Sequence, residues 1–448
     1  MSMDGQRPDV VEQYAARFDR IRESASSGEA DSVLSLRREA MGRFTELGFP
    51  TTRLEEWKDT DVSTITKSIL PPSDHTETQL KESEHIPLTL EDTHRVVIVN
   101  GGFRPDFSMP GGGLREVAVR SLAEIIRNEA ELLKPFFGQI ADFYNHPFVA
   151  LNTAFVDDGV VIRIPEGKVI AKPIHLLHIF NPVESDTIFH TRNLIVAGAN
   201  SQATVVEHYV GFAENAYTVN AVTEISVGEN AVLHHIKIQQ DSPSAHHISM
   251  TQAQQGGNSQ IVTTTISAGS RLTRNDIVAV LAGEGADCVM NGLILAKDDQ
   301  HIDNHTILDH AKPHCTSREF FKGIHHQKSH GVFSGRIIVR KDAQKTNAEQ
   351  KNKNLLLSDS ALVNSNPQLE IYADDVRCTH GSTTGQIDEE ALFYLRSRGL
   401  DTFAAQILLI NGFANEIVDG IQAPSVRTYV QALLESWLRE ARLEGMAS

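Results

Sequence analysis

The chain reads as a mainly β protein with helical ends, a fold class that three observations predict. Between about residues 155 and 370, runs rich in Val, Ile and Thr, such as GVVIRI, PIHLLHIF and SQIVTTTIS, alternate with Gly/Asn/Asp/Ser turns. Such runs bounded by such turns are strands. The turns Gly198-Ala199-Asn200, Gly228-Glu229-Asn230, Gly256-Gly257-Asn258 and Gly283-Glu284-Gly285 recur at roughly 28 residues, a solenoid-like period. Helical spacing is confined to the two ends. A β-helix, in which each coil buries apolar residues against the next, satisfies this pattern; a double-sheet sandwich also does. The boundaries that follow are an N-terminal, mostly helical domain with a linker at 1–150, a β core at 151–382 and a C-terminal helical domain at 383–448.

Taken in order, Val10, Tyr14, Phe18 and Ile21 recur at helical spacing, and Leu34 to Leu47 carries a similar stripe. Residues 62–94, rich in Ser, Thr, Pro, Glu and Asp, read as a linker with a short helix. Arg95 to Arg104 is a strand into a Gly turn, and Leu122 to Phe137 a helix. After the β core, Leu369, Ile371 and Ala373 alternate with polar residues until Asp374-Asp375 marks a bulge or tight turn. Extended chain resumes through Cys378 and His380, which share a strand face because side chains two apart project together. Gly381 to Gly385 is turn chemistry. Asp388 caps a helix with Glu389 and Glu390 at its positive end, Arg396 and Arg398 at its negative end, and Gly399 as the stop. Phe403, Ile407, Leu408, Phe413 and Ile417 mark a further helix that ends near Gly420. Ser425 then caps an amphipathic helix carrying Val426, Tyr429, Val430, Leu433, Leu434, Trp437 and Leu438.

The formal charge of −17 over 448 residues argues against nucleic-acid binding, which needs clustered Lys and Arg, and against an anionic membrane surface. No apolar run approaches the roughly 20 residues of a membrane-spanning helix. MSMDGQRPDV has no signal-peptide core, so a cytoplasmic protein is expected. The three cysteines, Cys288, Cys315 and Cys378, are too few and too scattered for a disulfide framework. They also cannot furnish a four-cysteine iron–sulfur cluster within one chain. GxxxxGK[ST], HExxH, GxSxG and a strand-linked GxGxxG are all missing. The expectation is therefore a non-catalytic chain that binds no ATP, any nucleotide motor residing in a partner. The rival reading, a β-helix carbohydrate-active enzyme, would need clustered Asp or Arg in a groove and usually a secretion signal.

Cys378 and His380 are the first candidates for chemistry, because thiolate and imidazole suit iron and zinc. The plain alternative is a buried structural cysteine beside a surface histidine. His301, Asp303 and His305 also share a strand face and could hold a divalent metal; the alternative is a stack of polar side chains on a β-helix face. The pairs His234-His235, His246-His247 and His325-His326 place neighbours on opposite faces and make poor chelates.

Four stretches resemble a known family. QLEIYADDVRC-T-HG with DEEALFYLRSRG, over 368–399, resembles the C-terminal signature of the SufB/SufD family of iron–sulfur cluster assembly proteins, in the wording of its SufD branch. Phe49 to Asp61 (FPTTRLEEWKDTD) resembles the family's N-terminal stretch, with Asp59 where Tyr is usual. His146 to Ala154 resembles its lead-in to the core, and Asn347 to Leu357 a coil whose Asn and Gln would form ladders in the β-helix turns. The resemblance implies a right-handed parallel β-helix core between helical domains. It implies a subunit of a SufBCD-type scaffold, joined through the β-helix to a SufB-like paralogue and through the C-terminal helices to a SufC-like ATPase. It places iron or a transient cluster, shared with the SufB-like subunit, at His380 first and Cys378 second. It assigns the ATPase contact to the helix carrying Glu390, Phe393, Tyr394, Arg396 and Arg398. It also raises a flavin in the complex, a homodimer when isolated, and a self-sufficient SufB-like homodimeric scaffold as the alternative.

Overall fold

The turn residues decide how the chain coils. The computed structural model describes residues 8–24, 30–66, 90–108, 117–182, 186–212 and 215–441. In each of the four expected turns the third residue is left-handed: Asn200 (φ 57°), Asn230 (56°), Asn258 (51°) and Gly285 (72°). Asn and Gly tolerate that conformation best. The first residue is Gly because coils stack too closely for a side chain: a Cβ on Gly283 would lie 2.1 Å from the backbone nitrogen of Gly257.

Successive strands alternate between a ten-stranded and a nine-stranded sheet, so the chain is a parallel β-solenoid and not a sandwich. Gln260–Ser267, for example, pairs in parallel with Val232–Gln240 on one side and Asp287–Ala296 on the other. Antiparallel pairing occurs at the N-terminal edge, where Gly102–Phe103 and Ala118–Ser121 join the two sheets. The strand His94–Val99 pairs in parallel with Ile174–Phe180, so the solenoid begins upstream of residue 150. Alternate residues point inward and form one long core, including Ile195, Ile225, Ile261, Ile277, Leu308, Phe321, Phe333 and Ile337.

Both outer faces are covered, which is why many strands are apolar on both sides. Helices Pro8–Ser24, Asp31–Leu47 and Pro147–Phe155 cover the nine-stranded sheet, packing Tyr14, Phe18, Phe44, Trp57 and Phe148 with Ile188, Val222 and Ile248. Helices Thr402–Val418 and Pro424–Glu440 cover the ten-stranded sheet, setting Ile410, Ile417, Val430, Leu434 and Trp437 over Ile238, Ile266, Leu293 and Ile324. Each such large apolar side chain contributes about 1.5–3 kcal/mol when buried. The buried Lys322 ammonium reaches out from the ten-stranded sheet, donates to the Phe413 carbonyl at 2.7 Å and pairs with Glu416 at 2.8 Å.

Several local expectations are corrected. The helix expected from Leu122 to Phe137 ends at Asn128, because Glu129 leaves helical geometry (φ −146°, ψ 37°), and a 3-10 turn Ala130–Leu132 follows. Ser425 lies inside the last helix, which starts at Pro424 and has no side-chain cap; proline's fixed φ suits that first position. Asn347–Leu356 is a strand and not a turn, and its inward Gln350, Asn352 and Asn354 bond within the solenoid. The expected linker falls largely on residues 67–89, outside the described residues. No helix among the described residues is long and apolar enough to cross a membrane.

Candidate functional site: the open end of the solenoid

The solenoid ends in one rung made of Leu362–Ile371 and Arg377–Gly385, joined through the expected turn around Asp374-Asp375. Among the described residues each of these strands is paired on one side only, so the rung presents two free sheet edges. Gly381 to Gly385, expected as a turn, continues the strand. Parallel pairing with Lys351 to Leu355 supplies its backbone partners and overrides its turn-like composition. Pro367 in the other terminal strand is tolerated because that strand is an edge. Leu362, Ile371 and Tyr372, the last 63% exposed, stand uncovered around the rung. An exposed edge flanked by apolar side chains is a template for another chain.

Cys378 and His380 project together on the inward side of this rung, as their spacing predicts. Cys378 is half-buried and packs on the end of the core. Beneath it on the same column lie Ala348, Ser317 and Cys288. Burial pushes the thiols of Cys378, Cys288 and Cys315 up. His380 is exposed and holds no hydrogen bond among the described residues. Beneath it on its own column lie Gln350 and then Glu319. Gln350 Nε2 donates to Glu319 Oε2 at 2.6 Å, and burial pushes the Glu319 carboxyl up to about 7. A seryl–amide bridge joins the two sheets beside the site: Ser382 Oγ donates to Ser365 Oγ, and Ser365 Oγ to Asn352 Oδ1, both at 2.8 Å.

The spacing argument missed Glu319 and Gln350. The available signal was an amide at the inward strand position one coil before His380 and a charged residue one coil before that.

The second candidate, the His301-Asp303-His305 ladder, is committed to packing. Asp303 is buried and accepts from Arg274 Nη1 at 2.7 Å and from Thr60 Oγ1 at 2.5 Å. His305 Nε2 lies 3.2 Å from the same carboxylate, and His301 Nε2 lies 2.9 Å from Thr60 Oγ1. Arg274 also pairs with Asp276 at 2.8 Å, donates to the Glu56 carbonyl and stacks 4.4 Å from the Trp57 ring. The EEWKDTD stretch is thus the latch that holds the N-terminal region on the solenoid. The paired histidines behave as expected: inward His235 lies 3.5 Å from the buried Glu207, while its neighbour His234 faces the other way. Among the described residues, no three His, Cys, Asp or Glu side chains are grouped to hold a metal.

A separate exposed surface lies on helix Glu389–Ser397. Its cap is as expected, Asp388 accepting from the Glu390 and Ala391 amides, and Gly399 follows with φ 97°. Leu392 faces inward; Glu390, Phe393, Tyr394, Arg396 and Arg398 are all exposed. Phe393 is 73% exposed and, with Tyr394, Phe403 and Leu408, makes an uncovered apolar surface beside the solenoid.

Comparison with known proteins gives a consistent result. Residues 179–413 match the family profile "SUF system FeS cluster assembly, SufBD core domain", and residues 9–176 match "SufBD protein N-terminal region". The chain is 33% identical over 410 residues to the iron–sulfur cluster assembly SufBD family protein slr0076 of Synechocystis, covering 90% of each chain. It is 31% identical over 393 residues to the iron–sulfur cluster assembly protein SufD of Escherichia coli, covering 86% of this chain and 88% of that one. It is 28% identical to the chloroplastic protein ABCI7 of Arabidopsis thaliana, covering 90% and 86% respectively.

Proposed function

The chain belongs to the SufBD family of iron–sulfur cluster assembly proteins, and from that membership we propose that it works as the SufD-like subunit of a scaffold complex. Its terminal rung continues into the end of a SufB-like paralogue, strand against strand. Its exposed C-terminal helix docks a SufC-like ATPase. Iron and sulfide are the cargo, received between the two solenoid ends. His380 and Cys378 supply this chain's share of the ligands, and the partner supplies the rest. The chain has no turnover chemistry of its own; ATP hydrolysis belongs to the docked ATPase, in the cytoplasm.

The observation that carries this reading is the open rung. It places an imidazole and a thiol on a free double edge, flanked by uncovered apolar side chains, with too few ligands to complete a site alone. Cys378 must lose its proton to bind a metal, and its buried setting opposes that until a cation arrives. The docked ATPase biases the arrangement of the two solenoid ends. A nucleotide-driven change at Phe393 and Tyr394 acts through helix Thr402–Val418, which packs on the ten-stranded sheet that ends in Arg377–Gly385. Isolated chains use the same free edges to pair with a second copy.

The test is co-purification with SufB-like and SufC-like partners. Ile371→Asp with Tyr372→Glu should abolish recovery of the SufB-like partner while leaving the ATPase bound. Retention of the SufB-like partner by this double variant would sink the edge-pairing reading.

A further inference from the structure

The column beneath His380 is built as a support. Glu319, Gln350 and His380 occupy matched positions on three consecutive strands, all inward-facing. Matched side chains on adjacent strands sit about 4.8 Å apart, within reach of one another. Gln350 is fully buried, and its position is closely defined. Nε2 is held by the Glu319 carboxylate, and the opposite sheet leaves room for the amide by placing Gly335 there, where a Cβ would lie 2.3 Å from Nε2. The other end of the amide, Oε1, is buried and has no hydrogen-bond partner among the described residues. A desolvated acceptor of this kind is costly unless something donates to it. His380, on the next rung and without a bond of its own, is the donor the column supplies.

We infer that Gln350 and Glu319 are positioning residues for His380. Glu319 orients the amide so that its oxygen faces the terminal rung, and that oxygen accepts the imidazole N–H. The ring is thereby held in one tautomer, and its other nitrogen is left as an acceptor, free to bind a cation. A ligand histidine is commonly oriented in this way by an acceptor behind it. The inference rests on the reading of His380 as a ligand, but the state of the ring can be measured without any cluster.

The experiment uses the full chain with ¹⁵N-labelled histidine rings, the His380 signal being identified by its loss in His380→Ala. Wild-type chain should show one His380 tautomer in at least about tenfold excess, the weight of one buried hydrogen bond. Gln350→Met and Glu319→Met should each bring that ratio back to that of a free imidazole, while Gln350→Glu, which keeps an acceptor oxygen, should preserve it. The buried His208 ring, bonded to Gln240 at 2.9 Å, reports in the same spectrum that each variant is folded. A mixed His380 tautomer in wild type, or an unchanged ratio in a folded Gln350→Met chain, overturns the inference. If His380→Ala leaves cluster assembly intact, the ligand reading falls instead, whatever the tautomer shows.

Discussion

Replacing Arg274 with Met should be among the most damaging single changes in the solenoid. The guanidinium is 2% exposed and makes two ion pairs, at 2.7 Å to Asp303 and 2.8 Å to Asp276, beside its bond to the Glu56 carbonyl and its stack on Trp57. Removing one partner of a buried pair costs about 3–5 kcal/mol, because the remaining charge is left without compensation. Two carboxylates are stranded here, although His146 stays 3.1 Å from Asp276 and Thr60 stays on Asp303. Loss of the Trp57 stack adds about 0.5–2 kcal/mol. We expect a net loss of about 3–5 kcal/mol by urea unfolding, read at unchanged slope. Asp303→Asn in the Arg274→Met background should recover part of it, since it removes one stranded charge, giving a coupling of about 1–3 kcal/mol in a double-mutant cycle. A loss below about 1 kcal/mol, the range of exposed pairs, would refute the latch, as would strict additivity.

Acid should destabilise the solenoid early. Burial holds His178, His190, His208, His301, His310 and His325 at about 4 against an ordinary 6.5, so the unfolded chain takes protons first as pH falls. Stability is complete above about pH 6.5 and falls below it, by up to about 2 kcal/mol per ring at pH 5. A urea midpoint that stays flat from pH 7 to 5 would contradict this. Glu319 has the opposite sign: its carboxyl is raised to about 7, so its contribution is complete below about pH 4.5 and is lost as pH rises through 7. Glu319→Gln should therefore raise stability relative to wild type at pH 8 but not at pH 4.5, and an equal effect at both would be the wrong result. Phe393→Asp should abolish recovery of the SufC-like ATPase with no fall in melting temperature, because a side chain 73% exposed supports no core; unaltered recovery would remove that helix from the interface. His305→Ala should leave the iron content of the complex unchanged, and a drop would return the ladder to the list of metal sites.

What could be read in the sequence depended on how local its cause was. The turns at Asn200, Asn230 and Asn258 were legible because left-handed backbone restricts residue choice on the spot. Cys378 and His380 share a face by strand period alone. The roughly 28-residue turn period and the family resemblance favour the β-helix over a sandwich, and the parallel pairing bears it out, although both folds give short strands between turns. Gly381 to Gly385 looked like a turn because its strand character comes from Lys351 to Leu355, one coil earlier. The His301-Asp303-His305 ladder reads as a polar stack that could also hold a metal, and its partners stayed hidden because they are remote, Arg274 being 29 residues away and Thr60 243 residues away from Asp303. That Cys378 and His380 sit on the final rung, with Gln350 and Glu319 beneath, follows from where the solenoid stops and from its register. Neither is written in any short motif.

The most direct measurement is cluster content in a complex reconstituted from this chain and the proposed SufB-like and SufC-like partners, comparing wild type with His380→Ala by absorbance and iron analysis. His380 is exposed and supports no core, so its removal should leave assembly of the complex intact. The account predicts full complex recovery with a sharp fall in cluster formed. Unchanged cluster content in a fully assembled complex would contradict it.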